Sequence, residues 1–186
     1  MEELMAIASS NIRELQPQTF TRVLGIDPGL QVTGYSVLEK IGQGAKLLEA
    51  GIISTKDSGS KLLHVRIASL YESLMEIIEQ FKPQSMAVEQ LFSHYKHPRT
   101  AILMAHARGV ILLAAAQYKL SVTSYNPTRV KKSLTGSGRA GKLQVQWAIQ
   151  RELGLVDLPE PPDVADAMAI GLTHIHAISI EKPELL

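Results

Sequence analysis

At 186 residues, 45% of them hydrophobic and 20% charged, the chain has the length of roughly one domain and the balance of a globular protein with a real core. It contains no cysteine, which excludes disulfides, thiolate metal sites and cysteine nucleophiles and suits a reducing compartment, so a cytoplasmic location is expected. The formal net charge of +1 conceals a segregation: across the 62 residues between Glu89 and Glu152 there is no Asp or Glu, while Lys96, Arg99, Arg108, Lys119, Arg129, Lys131, Lys132, Arg139, Lys142 and Arg151 supply ten positive charges, a pattern that points to a polyanionic partner, nucleic acid above all.

In chain order, "MEELMAIASSNIRELQPQTF" is acidic at its start and lacks an apolar run long enough for a secretory signal, so no export signal is expected; residues 1–20 stand ahead of the first strand as an N-terminal extension, a mobile tail or a frayed helix. Leu24, Gly25 and Ile26 form a buried strand that ends on Asp27, ahead of a Pro28-Gly29 turn. Strands at 31–38 and 46–54 continue it as an antiparallel meander, with "EKIGQGAK" as the turn. Over 60–81, Leu63, Ile67, Leu70, Leu74, Ile77 and Ile78 recur at helical spacing, and Pro83 bars any continuation of that helix. "SMAVEQLF" supplies a fourth strand at 85–90. From Pro98 a long helix runs to about 118; its apolar run, 101–116, is interrupted by His106 and Arg108 and is shorter than the ~18 to 20 residues of a membrane span, so it reads as a core or interface helix. "LSVTSY" is a fifth strand. A short basic helix starts at Asn126-Pro127, a glycine-rich loop covers 136–141, a helix covers 142–153, and the "LPEPP" linker leads to a last helix over 163–180, with 181–186 as a short tail. Three meander strands followed by alternating helix and strand predict one α/β domain over 21–180, a mixed sheet with helices on both faces.

The carboxylates fall at telling places on that scaffold. Asp27 ends the first strand and Glu89 the fourth; if those strands lie side by side and parallel, the two are neighbours at the sheet edge where ligands of open α/β sheets gather. Asp163 and Asp166 stand at i and i+3 at the start of the last helix, on one face. Each has an ordinary alternative: Asp27 as a turn former, Glu89 as a strand end, Asp163 as an N-cap and Asp166 as a partner of the helix dipole. Four such groups converging would repel unless a divalent cation neutralised them, and an all-oxygen set suits Mg²⁺ or Mn²⁺ rather than zinc.

"LGIDPGLQVTGYSVL", "AVEQLF" and "DVADAMAIGLTHIH", with the intervening "ARGV", "VKKSLTGSGRAGK" and "QVQ", resemble the bacterial RuvC family of Holliday junction resolvases, within the RNase H-like superfamily, from about Arg22 to Ala177. The resemblance implies an RNase H-like five-stranded mixed sheet and a homodimeric, Mg²⁺-dependent endonuclease that cuts two opposed strands of a four-way DNA junction, with the RuvA-RuvB branch-migration complex as partner. It carries the metal-binding and catalytic roles onto Asp27, Glu89, Asp163 and Asp166; some relatives have His where this chain has Asp163. Two ions about 3.5 to 4 Å apart would then lower the pKa of an attacking water and stabilise the leaving oxygen, with no protein nucleophile. Lys131 and Lys142 match basic positions near the family's active site, and Lys132 and Arg139 flank them as phosphate contacts. Phe92, on the loop "LFSHYKHPR" with Lys96 and Arg99, matches a position that the family uses to stack on an unpaired base, with a cap on the core as its ordinary alternative. The long helix from Pro98, with Ala105, Ala107, Gly109, Ala114 and Ala115 allowing close approach, is the candidate dimer contact.

Three features are decoys. "GSGRAGKL" imitates a P-loop, but Leu143 stands where the metal-binding hydroxyl belongs and a helix, not a strand, precedes it. His174 and His176, at i and i+2 of a helix, point to nearly opposite sides and cannot chelate together. His94 and His97 suit a phosphate better than a metal. Other classes compete: an RNase H-like nuclease acting on RNA, a non-catalytic DNA-binding module of the same fold, and, from the "DPG" turn, an actin-like ATPase, which leaves the basic block unexplained.

Overall fold

The structure is a computed structural model and describes residues 21–90 and 98–180. Five strands, β1 (Arg22–Asp27), β2 (Val32–Ile41), β3 (Gly44–Ser54), β4 (Ser85–Glu89) and β5 (Ser121–Tyr125), form one mixed sheet in the order β3-β2-β1-β4-β5. β1 pairs antiparallel with β2 and parallel with β4; β2 and β3 are antiparallel, and β4 and β5 parallel. Helices α1 (Leu63–Phe81) and α2 (Pro98–Gln117) cover one face, and α3 (Pro127–Thr135), α4 (Lys142–Leu153) and α5 (Pro162–Ile180) the other.

Strand alternation assigns the residues to these faces. Leu24, Ile26, Met86 and Val88 join Leu70, Leu74, Ile78, Ala107 and Ile111 in one apolar cluster. Val23 and Ala87 join Ala165, Met168, Ala169, Leu172 and Ile175 of α5 in the other. Asp27 and Glu89 share the parity of Val23 and Ala87, so the α5 face receives them.

That face is tight because glycine makes it so. A Cβ on Gly25 would stand 2.4 Å from the Ala167 carbonyl oxygen, and one on Gly34 would stand 1.9 Å from that of Asp163. Backbone therefore meets backbone, and Ser36 Oγ donates to the Ala167 carbonyl at 3.0 Å.

The boundaries differ from expectation where tertiary contacts extend an element. β2 runs to Ile41 rather than 38, because Glu39 is buried and paired with Arg22, its register partner, at 2.9 Å; only Gly42-Gln43 is left as the turn. α1 begins at Leu63 rather than 60, with the Leu62 amide donating to Ser60 Oγ, and Leu63 is exposed rather than core. Thr100–Gln117 of α2 reaches the length and apolarity of a membrane span, which 101–116 alone does not, yet it serves as a layer on the sheet. Ala107, Ala114 and Ala115 of α2 are fully buried in that layer, so their small size serves packing within the chain; only Ala105 and Gly109 of the expected close-approach set line its outer side.

Candidate active site

β1 and β4 run parallel with Gly25 beside Ala87 and Ile26 beside Val88, so both strands end with a carboxylate at the same edge. The side chains of Asp27 and Glu89 are close enough at that edge for each to perturb the titration of the other. Asp27 is opposite Gly34 in the β1–β2 register, and Gly34 is where the backbone of Asp163 comes closest, so α5 delivers its first turn directly onto Asp27. Asp166 follows one turn later and lines a cleft of about 280 Å³ with Glu89, Lys131, Lys142, Gln146 and the apolar Val130, Val145, Ala165, Ala169 and Ile170. Because α5 begins at Pro162, a position that suits proline, Asp163 lies inside the first turn and is not the N-cap.

Each supporting element has a local reason to be there. Asn126 caps α3 by accepting the Arg129 amide at 2.7 Å, Pro127 fills the first turn, and Gly136, in the left-handed region at φ 77°, ends the helix; this brings Lys131 to the cleft. α4 starts at Lys142 after Gly141, whose amide donates to Gln144 Oε1 at 2.8 Å. The buried Gln146 donates from Nε2 to the Pro159 carbonyl and to Glu160 Oε1, each at 3.1 Å, tying α4 to the linker that sets the start of α5.

The electrostatics are those of crowded, partly desolvated acids. Burial above all, then Glu89, Asp166 and Asp163, pushes Asp27 up to about 8. Burial and Asp166 raise Glu89, against lowering by the neighbouring Asp27 and by Arg108. Asp166 is raised by burial and by Asp163, while Lys142 and then Lys131 draw it down. The site's donors are all carboxylate oxygens, the chemistry that suits a hard divalent cation. Among the described residues no three such side chains already surround a common point.

The four carboxylates and both cleft lysines named from sequence are therefore brought to one edge of the sheet. Lys132 and Arg139 are exposed and do not line the cleft. Arg99 lies in the first turn of α2. Phe92, Lys96, His94 and His97 lie outside the described residues, as do 1–20 and 181–186. Two of the three decoys fall on described residues. The 136–141 loop follows a helix and Leu143 is exposed. His174 is buried, with Nδ1 at 2.9 Å from Tyr125 Oη and Nε2 at 3.1 Å from Ser85 Oγ, whereas His176 points away to Glu152 and Ser133.

Sequence reasoning missed Gln146, Tyr125 and the role of Arg108. The "ARGV" and "QVQ" stretches were the available signal, but what their side chains touch lies far away in sequence.

The chain is similar to known proteins in sequence and in fold. Residues 23–174 match the family model for crossover junction endodeoxyribonuclease RuvC. The chain is 51% identical over 157 residues to the crossover junction endodeoxyribonuclease RuvC of Rhodopirellula baltica, covering 84% of this chain and 87% of that protein. Against the one from Caldicellulosiruptor saccharolyticus it is 45% identical over 155 residues, 83% and 92% of the two chains. Among solved structures it is similar to T. thermophilus RuvC in complex with Holliday junction substrate, with a TM-score of 0.80 and 32% identity over 86% of this chain and 96% of that one. The yeast mitochondrial Holliday junction resolvase Ydc2, at 14% identity and a TM-score of 0.64, shares the fold.

Proposed function

We propose a mechanism from one premise: the chain belongs to the RuvC family of crossover junction endodeoxyribonucleases. It is a metal-dependent nuclease that resolves four-way DNA junctions in recombination and repair. Asp27, Glu89, Asp163 and Asp166 are the residues that would hold the metal, Mg²⁺ with Mn²⁺ as a substitute and two ions per site. When bound, the metal supplies Lewis-acid activation of water and stabilisation of the leaving oxygen. The convergence of four carboxylates from β1, β4 and α5 on one edge of the sheet is the observation that carries this reading.

The chain's own groups do the rest. Lys131 and Lys142, on α3 and α4 across the cleft from Glu89, hold the backbone of the cut strand by its phosphates, with Lys132 and Arg139 extending the track outward; such contacts position the substrate and carry no sequence readout. The apolar wall of Val130, Val145 and Ile170 limits water on that side. Phe92, Lys96 and Arg99 are proposed junction contacts on the motif resemblance alone, Phe92 by stacking.

The paired cuts need two sites, and the outer side of α2 offers the surface for a second copy: Ile102 and Leu113 are more than half exposed and line an apolar groove with Ile67, Ala105, His106, Gly109 and Val110. A partnership with the RuvA-RuvB branch-migration complex rests on family membership.

One experiment decides between this reading and an RNA nuclease or a non-catalytic DNA-binding module. End-labelled four-way junction, linear duplex and RNA hybrid are each incubated with and without Mg²⁺ and the cuts mapped. Paired, symmetrical, Mg²⁺-dependent cuts confined to the junction are expected. Cutting of the hybrid, or junction binding without cutting, would overturn the proposal.

A further inference from the structure

Arg108 belongs to the basic block but lines no part of the cleft, and the proposed chemistry leaves it unused. It stands on the flank of α2, next to the buried Ala107. Its guanidinium donates from Nη1 to the backbone carbonyl of Glu89 and from Nη2 to Ser124 Oγ, the latter at 2.7 Å. Glu89 is the last residue of β4, and Ser124 is in β5, opposite Val88. One planar group thus clips the ends of two parallel strands to the helix that covers them.

The strand end needs such a clip. Among the described residues, pairing of β4 with β1 ends at Val88, and beyond Glu89 the ladder to β5 shows one bond, from the Gln90 amide to the Tyr125 carbonyl at 2.8 Å. At this strand end the carboxyl of Glu89 faces Asp166, and like-charge repulsion favours any backbone shift that separates the two. Arg108 grips Glu89 through its main chain and leaves the carboxylate directed at its acidic neighbours. The two-pronged geometry matters: a lysine ammonium at the same place is a point charge on a flexible stem, without the guanidinium's fixed fork across both acceptors.

We propose that Arg108 is a positioning residue, which holds the end of β4 so that Glu89 meets the divalent cation and thereby sets the affinity of the site for metal without touching substrate. The proposal rests on the reading of Glu89 as a ligand. It is distinct from the simpler role of a partly buried arginine that satisfies two acceptors and stabilises the fold, which would leave metal affinity alone.

The test uses the full chain and the variants Arg108→Gln, Arg108→Lys and Ser124→Ala, with Glu89→Gln as control. Mn²⁺ binding is measured calorimetrically without DNA, junction affinity in Ca²⁺, and single-turnover cleavage across a Mg²⁺ titration. Arg108→Gln is expected to weaken Mn²⁺ binding by about 10- to 100-fold, as loss of a residue that orients a ligand typically does. Junction affinity should stay within about twofold, and excess Mg²⁺ should restore cleavage. Arg108→Lys should fall between, and Ser124→Ala, which removes one neutral acceptor, should cost about threefold. Wild-type Mn²⁺ affinity in Arg108→Gln, whatever its melting temperature, overturns the proposal. If that variant does not fold, unchanged Mn²⁺ affinity in both Arg108→Lys and Ser124→Ala overturns it instead. Should Glu89→Gln itself bind Mn²⁺ like the wild type, the ligand reading fails first and takes this proposal with it; loss of binding in Glu89→Gln alone sinks only the role of Arg108.

Discussion

On the α1/α2 side of the sheet, Leu24, Ile26, Met86 and Val88 meet Leu70, Leu74 and Ile111 through side chains alone; on the α5 side, Gly25 and Gly34 let main chain touch main chain, and Ser36, His174 and Gln146 are buried with their hydrogen bonds made. The first arrangement excludes water and tolerates exchange among apolar side chains of similar volume. The second fixes helix against strand to within fractions of an ångström, and it is there that the carboxylates converge. Burial stabilises both faces, and the close approach at Gly25 and Gly34 sets α5, with Asp163 and Asp166, against β1 and β2.

The sharpest way to break that contrast is to remove a charge without moving an atom. Asp27→Asn keeps the shape of the side chain, so cleavage should fall by about a thousandfold or more, equivalent to ~4 kcal/mol of transition-state stabilisation, while junction binding and folding survive. Metal-free stability should respond too. The folded state holds Asp27's proton up to about 8 against an ordinary value of 3.8, so the stability this group contributes is fully present below about 3.8 and is lost as pH rises through about 8. Denaturant titrations of the metal-free protein between pH 4 and 8 should show that decline in the wild type and a flatter profile in Asp27→Asn. Junction cleavage at wild-type rate by this variant would return Asp27 to the rank of a turn residue.

A second comparison sets one small substitution on each face. Gly34→Ala on the α5 side would drive a methyl group into the Asp163 carbonyl, 1.9 Å away, so the first turn of α5 must shift; overpacking of this kind costs about 1 to 3 kcal/mol and should abolish cleavage even where the protein remains folded. Leu74→Ala on the other side leaves a cavity and should cost about 2 to 5 kcal/mol, yet keep cleavage per folded molecule near normal. Melting curves paired with single-turnover rates below the melting point check both. Equal loss of activity per folded molecule in the two variants would remove the distinction between the faces.

Much of the site was legible because it depends on strand parity and chain order. Asp27 and Glu89 each end an apolar strand, and Asp163 and Asp166 share a helix face, so their convergence needed only that the two strands be parallel neighbours. Groups that act across the fold were not legible. Nothing local tells that Arg108 reaches the Glu89 carbonyl, that Tyr125 meets His174, or that Gln146 ties down the linker before α5. The end of β2 was misplaced for the same reason: Glu39-Lys40 looks like a solvated turn until Arg22, 17 residues earlier, is found opposite Glu39. Contacts between residues distant in sequence carry no period, and periodicity is what a single sequence offers.

Lys131 and Lys142 sharpen the contrast at the cleft itself, since they bind without performing chemistry. Each phosphate contact on duplex DNA contributes about 0.9 to the slope of log affinity against log salt, so the double substitution to Ala should reduce that slope by about 1.8 and weaken binding most at low salt. Fluorescence anisotropy with labelled junction over a salt series measures it. An unchanged slope would mean that DNA does not pass between α3 and α4.

The smallest expected effect lies at the far end of the α5 face, where His176 Nε2 is 2.6 Å from Glu152 Oε1 and Nδ1 is 3.0 Å from Ser133 Oγ, joining α5, α4 and α3. The hydrogen bond to Glu152 raises His176 above its ordinary 6.5, against the opposing effect of burial. A histidine raised in this way is charged and paired at low pH, so its contribution is fully present below about 6.5 and is lost as pH rises through the higher folded value. Both side chains remain about a quarter exposed, so solvent screening holds the pair to ~1 kcal/mol at most. Glu152→Gln keeps a hydrogen-bond acceptor and removes the charge. Its stability should therefore differ from the wild type below pH 6.5 and converge with it at higher pH, with cleavage unaffected because neither residue lines the cleft. A stability difference of the same size at every pH would show that this contact acts through packing alone, and a change in cleavage would show that the helix ends remote from the carboxylates are coupled to them.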